Sequence, residues 1–291
     1  MLFTVKGLSL ERLRAFLEVA EAGGIARAAP GAPVRQSQLS RQISQLETAL
    51  SQAVFHRAGR RLILTPAGAQ LVGVVRELSK GLTDVASTSG PVGVSLGGGD
   101  SVLRWVLLPA VGRLRQDFGD VLLDVRALGA AQVVQGLGDH SLDLGLLRGS
   151  EPTGELKTLR LGRIDYALFV ARERRGSRDW RALLEEVPLA IATSEPGLLE
   201  AVAALGPAKL RCETFPQVAQ AVRAGFAGVL PTFARQELPA AEFRQLSPPS
   251  LEAAGATLLL AWRRRLDELR PRVKAVRRGV EKVVRAGLGG A

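Results

Sequence analysis

The 291 residues are 46% apolar and 23% charged. That is the mix of a soluble globular chain long enough for two domains and a sizeable core, and it excludes a disordered one. The formal net charge of +11 is uneven: residues 1–89 hold +5, residues 262–291 hold +7, and the middle is left at −1. Basic ends favour a polyanionic partner. A single cysteine, Cys212, excludes an intramolecular disulfide and reads as a small buried hydrophobe rather than a reactive thiol. With two distant histidines there is no metal-ligand cluster, and neither a metal nor a cofactor is expected. No apolar run approaches the ~20 residues of a membrane span, and the N-terminus lacks the order of a signal peptide. A cytoplasmic protein with no membrane partner is expected.

In chain order, Ser9 can cap a helix over residues 9–22, with Leu10, Leu13, Phe16, Leu17 and Ala20 on one face. Gly23-Gly24 ends it, and a short helix over Ile25 to Ala29 is stopped by Pro30, Gly31 and Pro33. A third helix follows over Val34–Leu50. Its buried stripe is Leu39, Ile43, Leu46 and Leu50, and its other face carries Gln36, Gln38, Arg41, Gln42 and Gln45 with Ser37 and Ser40 between them. Amides and guanidinium groups bond bidentately to base edges, although a plain surface helix can share this composition. Three short helices with the polar one third make a helix-turn-helix whose third helix would enter DNA.

Residues 54–68 read as a β-hairpin turning at Ala58-Gly59-Arg60. Placed directly after the third helix it would be a wing, with Arg57, Arg60 and Arg61 suited to phosphates or the minor groove; a solvated turn is the plainer alternative. Thr65-Pro66 opens a long helix in which Leu71, Val75, Leu78, Leu82 and Val85 are spaced four, three, four and three. That is a heptad seam for a second copy of the chain, or else a face packed on the rest of this one. Ser87 to Pro91 reads as a hinge-like linker.

From Val92 short apolar strand-like runs (VGVSL, VLLDVRAL, LDLGLL, YALFVA, PLAIAT, GVLP, TLLLAW) alternate with helical patterns at 104–117, 130–138, 180–186, 197–205 and 216–225. Alternation of this kind predicts a doubly wound α/β region. The C-terminal helix places Leu269, Val273, Val276, Val280 and Val283 on one face, and its arginines are expected on a solvated outer face. A competing enzyme reading rests on Gly93-Val94-Ser95-Leu96-Gly97, a G-x-S-x-G pattern followed by Asp124 and His140 in hydrolase order. It needs Ser95 at a strand-to-helix corner, whereas the pattern puts Ser95 inside a strand, so no catalytic residue is expected.

Together these residues resemble the LysR-type transcriptional regulators. The resemblance covers nearly the whole chain and is strongest in Phe16–Ala20, Arg27-Ala28-Ala29, Leu39-Ser40-Arg41-Gln42-Ile43, Leu46-Glu47, Phe55-x-Arg57-x-Gly59-Arg60 and Leu64-Thr65-Pro66-Ala67-Gly68. It continues in Leu108-Pro109, Phe118, Leu142-Asp143-Leu144-Gly145 and Ala224–Pro231. It implies a winged helix-turn-helix domain over residues 1–66, a linker (dimerisation) helix over 67–89 and an effector-binding domain over 90–291. The last would be of periplasmic-binding-protein type, with subdomain I at 90–163 and 258–291 and subdomain II at 164–257. The chain would cross between subdomains near Gly162–Asp165 and Thr257–Ala261. The implied function is a sequence-specific DNA-binding regulator, a homodimer or homotetramer on double-stranded DNA, modulated by a small-molecule effector bound between the subdomains. The chain departs from the family at Pro30-Gly31-Ala32-Pro33, at Arg35 where the Ser cap of the third helix is usual, and at Ser37 where Pro is usual.

On this reading Gln36, Ser37, Gln38, Ser40 and Arg41 contact bases, and Arg35, Arg57, Arg60 and Arg61 contact phosphates. The effector is expected where strand ends meet helix starts, at Gly98, Gly99, Asp100 and Ser101 and at Thr193 and Ser194. A capping role for Asp100 and Ser194 stays open. Gly129 stands where many relatives place a Thr that touches effector. A small anionic metabolite is the expected ligand, short of a strongly acidic one because of Asp100. A cleft filled by its own side chains is the effector-independent alternative.

Overall fold

The computed structural model describes residues 6–59, 61–86, 91–118, 121–149, 156–172 and 179–289. The chain divides into two compact units, one of residues 1–89 with 138–141 and one of the remainder.

The first unit opens with α1 (Leu10–Ala22), α2 (Ile25–Ala28) and α3 (Pro33–Leu50). Ser9 Oγ accepts from the Arg12 N–H at 3.3 Å, and Gly23, at φ 67°, closes α1 in the left-handed conformation that a residue without Cβ adopts freely. Pro33 begins α3 rather than ending α2. It takes the first helical position, where its missing N–H has no partner to lose, behind Ala32, a cap that supplies no side-chain oxygen. The hairpin strands β1 (Phe55–Ala58) and β2 (Arg61–Leu64) pair antiparallel, Ala58 opposite Arg61. The helix α4 (Pro66–Ala86) follows at once. Thr65 ties it down: its hydroxyl donates to Ala53 O at 2.7 Å and accepts from Gly68 N–H at 3.0 Å. A Cβ on Gly68 would lie 2.0 Å from Val54 O, so only glycine permits this approach. Phe16, Leu39, Leu46, Val54, Val72 and Val75 form the core of this unit. The expected hinge at Ser87–Pro91 falls outside the described residues except for Pro91.

The second unit holds two five-stranded sheets. The chain runs through β3 (Val92–Gly98) and then a helical stretch: α5 (Asp100–Val102), a π turn (Leu103–Leu107), a 3-10 turn (Leu108–Ala110) and α6 (Val111–Phe118). After these come β4 (Val121–Ala127), α7 (Ala130–Gly138), β5 (Leu144–Arg148) and β6 (Leu156–Ile164). The second lobe comprises β7 (Tyr166–Ala171), α8 (Trp180–Glu186), β8 (Leu189–Ala192), α9 (Pro196–Ala203), β9 (Leu210–Cys212), α10 (Phe215–Arg223), β10 (Ala227–Pro231), β11 (Phe243–Leu246) and α11 (Pro249–Ala253). The chain returns through β12 (Ala256–Arg263), α12 (Leu266–Leu269) and α13 (Pro271–Gly289).

The sheet orders are β4-β3-β5-β12-β6 and β11-β7-β10-β8-β9. The first crossover is at Asp165, between β6 and β7. The second precedes β12, so Thr257–Ala261, expected at a crossing, already lies inside the first sheet, where Ala256 pairs with Ile164. In the first lobe α13 buries Val273, Val276, Val280, Val283 and Val284. Leu269 is 52% exposed and leaves that face, because it ends α12 and lies outside α13.

Two arginines expected in solvent are buried instead. Arg277 pairs with Asp267 at 3.1 Å and stacks 4.2 Å over the Trp262 ring. Arg270, 4% exposed, pairs at 2.8 Å with Asp143, 1% exposed, and donates to Gly93 O at 2.8 Å. The other Asp143 oxygen accepts from Ser95 N–H and Oγ–H, each at 2.9 Å. Burial makes the arginine's partner obligatory.

Candidate DNA-reading face and ligand cavity

On α3 the residues opposite the buried Leu39, Ile43 and Leu46 are Val34, Ser37, Gln38, Arg41 and Gln45. These, with Ser40, are exposed, and their side chains have no bond within the described residues. The residues on the shoulders of the buried stripe are engaged. Gln36, expected to read a base, donates its amide to Ala29 O at 2.8 Å, pinning the turn before α3. Gln42 bonds Glu11 at 2.7 Å. Arg35, expected on a phosphate, instead forms an ion pair with Glu18 of α1 at 2.7 Å, doing between helices what the missing cap does not. Between Ala22 and Arg76 the only acidic residue is Glu47. It is turned inward, accepting from Val54 N–H at 2.9 Å and Phe55 N–H at 3.2 Å.

In the hairpin Arg57 pairs with Leu62 and Ala58 with Arg61, so the register sends Arg57 and Arg61 to opposite faces of the ribbon. Both line a cleft with Gly23, Gly24 and Arg27. Arg27, exposed on α2, was not foreseen as part of this cationic group: an arginine on a four-residue helix has no periodicity to mark it. Arg60 falls outside the described residues.

The expected seam on α4 divides. Val75 is 5% exposed, packed in the core of its own unit, and Leu71 is half-buried against that core. Leu78, Leu82 and Val85 are exposed, at 40%, 47% and 75%, joined by Val74 at 55%. The apolar stripe open to solvent is therefore Val74, Leu78, Leu82 and Val85, with Val75 removed from it.

In the second unit a cavity of about 960 Å³ lies at the carboxyl ends of parallel strands of both sheets. This is where α/β sheets present free backbone N–H groups. Of the residues expected there, Gly99, Asp100, Ser101, Gly129 and Ser194 line it; Gly98 and Thr193 do not. Gly98 is still within β3, packed against Leu146, and Thr193 turns its hydroxyl to Cys212 O at 3.1 Å, in the edge pairing of β8 with β9. The lining that the sequence did not reveal is its most polar part. Arg148, at the end of β5, forms an ion pair with Glu195, just before α9, at 2.6 Å, and also donates to Ser101 Oγ. Its guanidinium lies 5.3 Å over the Phe215 ring. Burial pushes the Tyr166 phenol above its usual range, opposed by the neighbouring Arg148 charge. Among the described residues the charged lining is Asp100, Glu195 and Glu213 against Arg148. An acidic majority works against the purely anionic ligand expected from the strand ends.

Ser95, the candidate nucleophile, is in the middle of β3, 6% exposed and hydrogen-bonded to Asp143, while Asp124 pairs with Arg126. A strand interior cannot present a hydroxyl as an elbow does. Cys212 is half-buried rather than buried, and desolvation raises its thiol pKa. Among the described residues no group of three or more His, Cys, Asp or Glu is placed to hold a metal ion. No described helix is long and apolar enough to cross a membrane.

A three-helix head with a β-hairpin, a long helix, and a two-sheet unit with a cavity at the strand ends define a ligand-responsive helix-turn-helix regulator class. Residues 10–69 match the bacterial regulatory helix-turn-helix protein, lysR family, and residues 93–285 match the LysR substrate binding domain. The chain belongs to the LysR family.

Among curated relatives, a probable RuBisCO transcriptional regulator of Synechocystis is 28% identical over 159 residues, 52% of this chain and 46% of that protein. The chain spans about half the length of the curated relatives it matches. Full-length OxyR from Pseudomonas aeruginosa is 18% identical, with a TM-score of 0.66 over 97% of this chain and 94% of that one. Full-length CbnR in complex with its target DNA is 21% identical, with a TM-score of 0.59 over 93% and 99%. These likenesses show the fold.

Proposed function

We propose that the chain is a sequence-specific transcriptional regulator that reads double-stranded DNA with α3 and answers to a small molecule in the two-lobed cavity. The observation that carries this is the acid-free surface of α3 and the hairpin: from Ala22 to Arg76 the one carboxylate is turned inward, leaving hydroxyls, amides and guanidinium groups outward. Such a surface accepts phosphates anywhere and discriminates bases where amide and guanidinium meet the groove. Ser37, Gln38, Ser40 and Arg41 face bases, and Arg27, Arg57, Arg60 and Arg61 are assigned to the backbone. Gln36 and Arg35 set the angle of α3 from behind. The target DNA held by CbnR supports this use of the fold.

DNA binding is assigned to residues 1–66, linkage to 67–89 and ligand response to 90–291. The exposed stripe of α4 supports assembly as a homodimer or homotetramer. An open cavity supports a ligand-dependent regulator over a self-filled one. The relatives are transcriptional regulators, and with Ser95 locked in a strand we read no catalytic role here. The site of action is the cytoplasm, where the DNA is.

The test is footprinting of DNA flanking the gene, then fluorescence anisotropy of the full chain on the protected fragment across a salt series. Arg41→Ala relaxes discrimination by ~1–3 kcal/mol at one base position. Arg61→Ala weakens binding to all sequences and lowers the salt slope by about one. Unchanged affinity for both variants at every salt concentration refutes the reading.

A further inference from the structure

The cavity already contains an ion pair, and that pair restricts what can enter. Arg148 comes from the first lobe and Glu195 from the second, joined at 2.6 Å across the space between the sheets. The Arg148 side chain is 10% exposed, with Ser101, the Phe215 ring and the Tyr166 phenol among its neighbours. Two more carboxylates line the same space. Asp100 is half-buried and Glu213 exposed, and neither side chain has a partner among the described residues. The protein as a whole carries +11, so a described lining of three carboxylates to one guanidinium is a local inversion of charge.

Three kinds of small ligand can be weighed against this arrangement. A simple carboxylate gains Arg148 only by evicting Glu195, which is then left without its cation beside two further carboxylates. A simple amine gains Glu195 only by stranding the buried guanidinium. Each exchange leaves one partner of a partly buried pair uncompensated, the costly outcome for such pairs. A ligand carrying both charges trades one ion pair for two and strands nothing. An excess of positive charge on it also satisfies a free carboxylate.

Resting on the reading of this cavity as the effector site, we propose that its ligand is an amino acid with a cationic side chain. The ligand carboxylate replaces Glu195 on Arg148 and Ser101. Its ammonium takes the released Glu195, and its side-chain cation reaches Asp100 or Glu213, with the methylene stem along Tyr166 and Phe215. Because Arg148 and Glu195 belong to different lobes, the exchange substitutes a bridging ligand for a direct contact and so alters how the lobes are held. The resting ion pair is thus both a latch and a filter against monofunctional ions.

Isothermal titration calorimetry of the full chain tests this with L-arginine, L-lysine and L-ornithine. The single-sign controls are the dications agmatine and cadaverine, which lack the carboxylate, and the polyanions succinate and citrate, which lack the cation. The expected result is that at least one of the three amino acids binds and that the controls bind at least tenfold more weakly. In Glu195→Gln the preference inverts: the bound amino acid loses at least tenfold, and succinate gains at least tenfold because Arg148 no longer has a competitor. Citrate or succinate binding best to the wild-type chain, and lost in Arg148→Gln, overturns the amino-acid assignment while leaving the cavity as the effector site. Amino-acid binding that is indifferent to both variants overturns the cavity reading and the proposal together. The absence of binding by all three amino acids overturns the proposal.

Discussion

Replacing Asp143 by Ala isolates the energetics of the deepest charge in the second unit. The carboxylate is 1% exposed and satisfies Arg270, itself 4% exposed, at 2.8 Å, as well as the N–H and hydroxyl of Ser95, both at 2.9 Å. Its removal leaves a guanidinium buried without a counter-charge, a loss of about 3–5 kcal/mol. For a unit of this size each kcal/mol moves the midpoint by ~2–4 °C, so thermal unfolding should begin roughly 6–20 °C lower. Trp105, Trp180 and Trp262, the only tryptophans, all lie beyond residue 89, so their fluorescence follows this unit alone during heating or a urea titration. Adding Arg270→Met to the Asp143→Ala chain removes the stranded charge and restores part of the loss. The Ser95 N–H still lacks an acceptor, at about 1–3 kcal/mol, so recovery is incomplete. A single variant that loses less than about 1 kcal/mol, or a double variant no more stable than the single one, refutes the reasoning.

On α4, Leu78→Asp with Leu82→Asp should shift the chain toward monomer in analytical ultracentrifugation and leave folding intact, since both side chains are exposed. Val75→Asp should unfold the first unit, and an unchanged assembly in the double variant counts against the stripe as an interface. The chain has one tyrosine, so its phenolate absorbance titrates Tyr166 alone. Burial raises that pKa in the folded state. Between the unfolded value near 10 and the folded one, the unfolded state binds fewer protons, so this residue withdraws stability as pH rises through that window. Arg148→Met removes a neighbouring cation and should move the titration higher still; a shift to lower pH contradicts the geometry.

How much of this was legible follows from which residues carry a period. The α3 stripe, the hairpin alternation and the Leu64–Gly68 motif sit within short spans and announce their elements. The strands β6, β9 and β11 did not, and each is an edge of its sheet. An edge strand turns polar side chains outward, as Lys157, Arg160 and Arg163 do along β6, so it lacks the continuous apolar run of a central strand. The cavity rim at Gly99–Ser101 was legible because the glycine run followed by Asp100 and Ser101 marks the end of a strand and the start of a helix, although Gly97 and Gly98 still belong to β3. Arg148 and Glu195 were not: 47 residues separate them, and only the arrangement of the two sheets brings them together. The bond of Gln36 to Ala29 O was not legible because the amphipathic pattern distinguishes faces, not shoulders, and a shoulder residue reaches the neighbouring turn. The buried Arg270 and Arg277 show the same limit, since a basic composition does not say which cation has a carboxylate waiting for it.

The pairing of Ile164 with Ala256 at the junction of β6 and β12 has a topological consequence. The chain leaves the first sheet and returns to it at neighbouring rungs of one antiparallel ladder, so residues 165–255 form an insert whose two ends meet as the ends of a hairpin loop do. Closing that gap with a short turn would demand little loop entropy and disturb no other rung of the sheet. The strand order of the first sheet is therefore complete without the second lobe. The two covalent connections between the lobes leave and enter adjacent strands of one ladder, at Asp165 and Gly255.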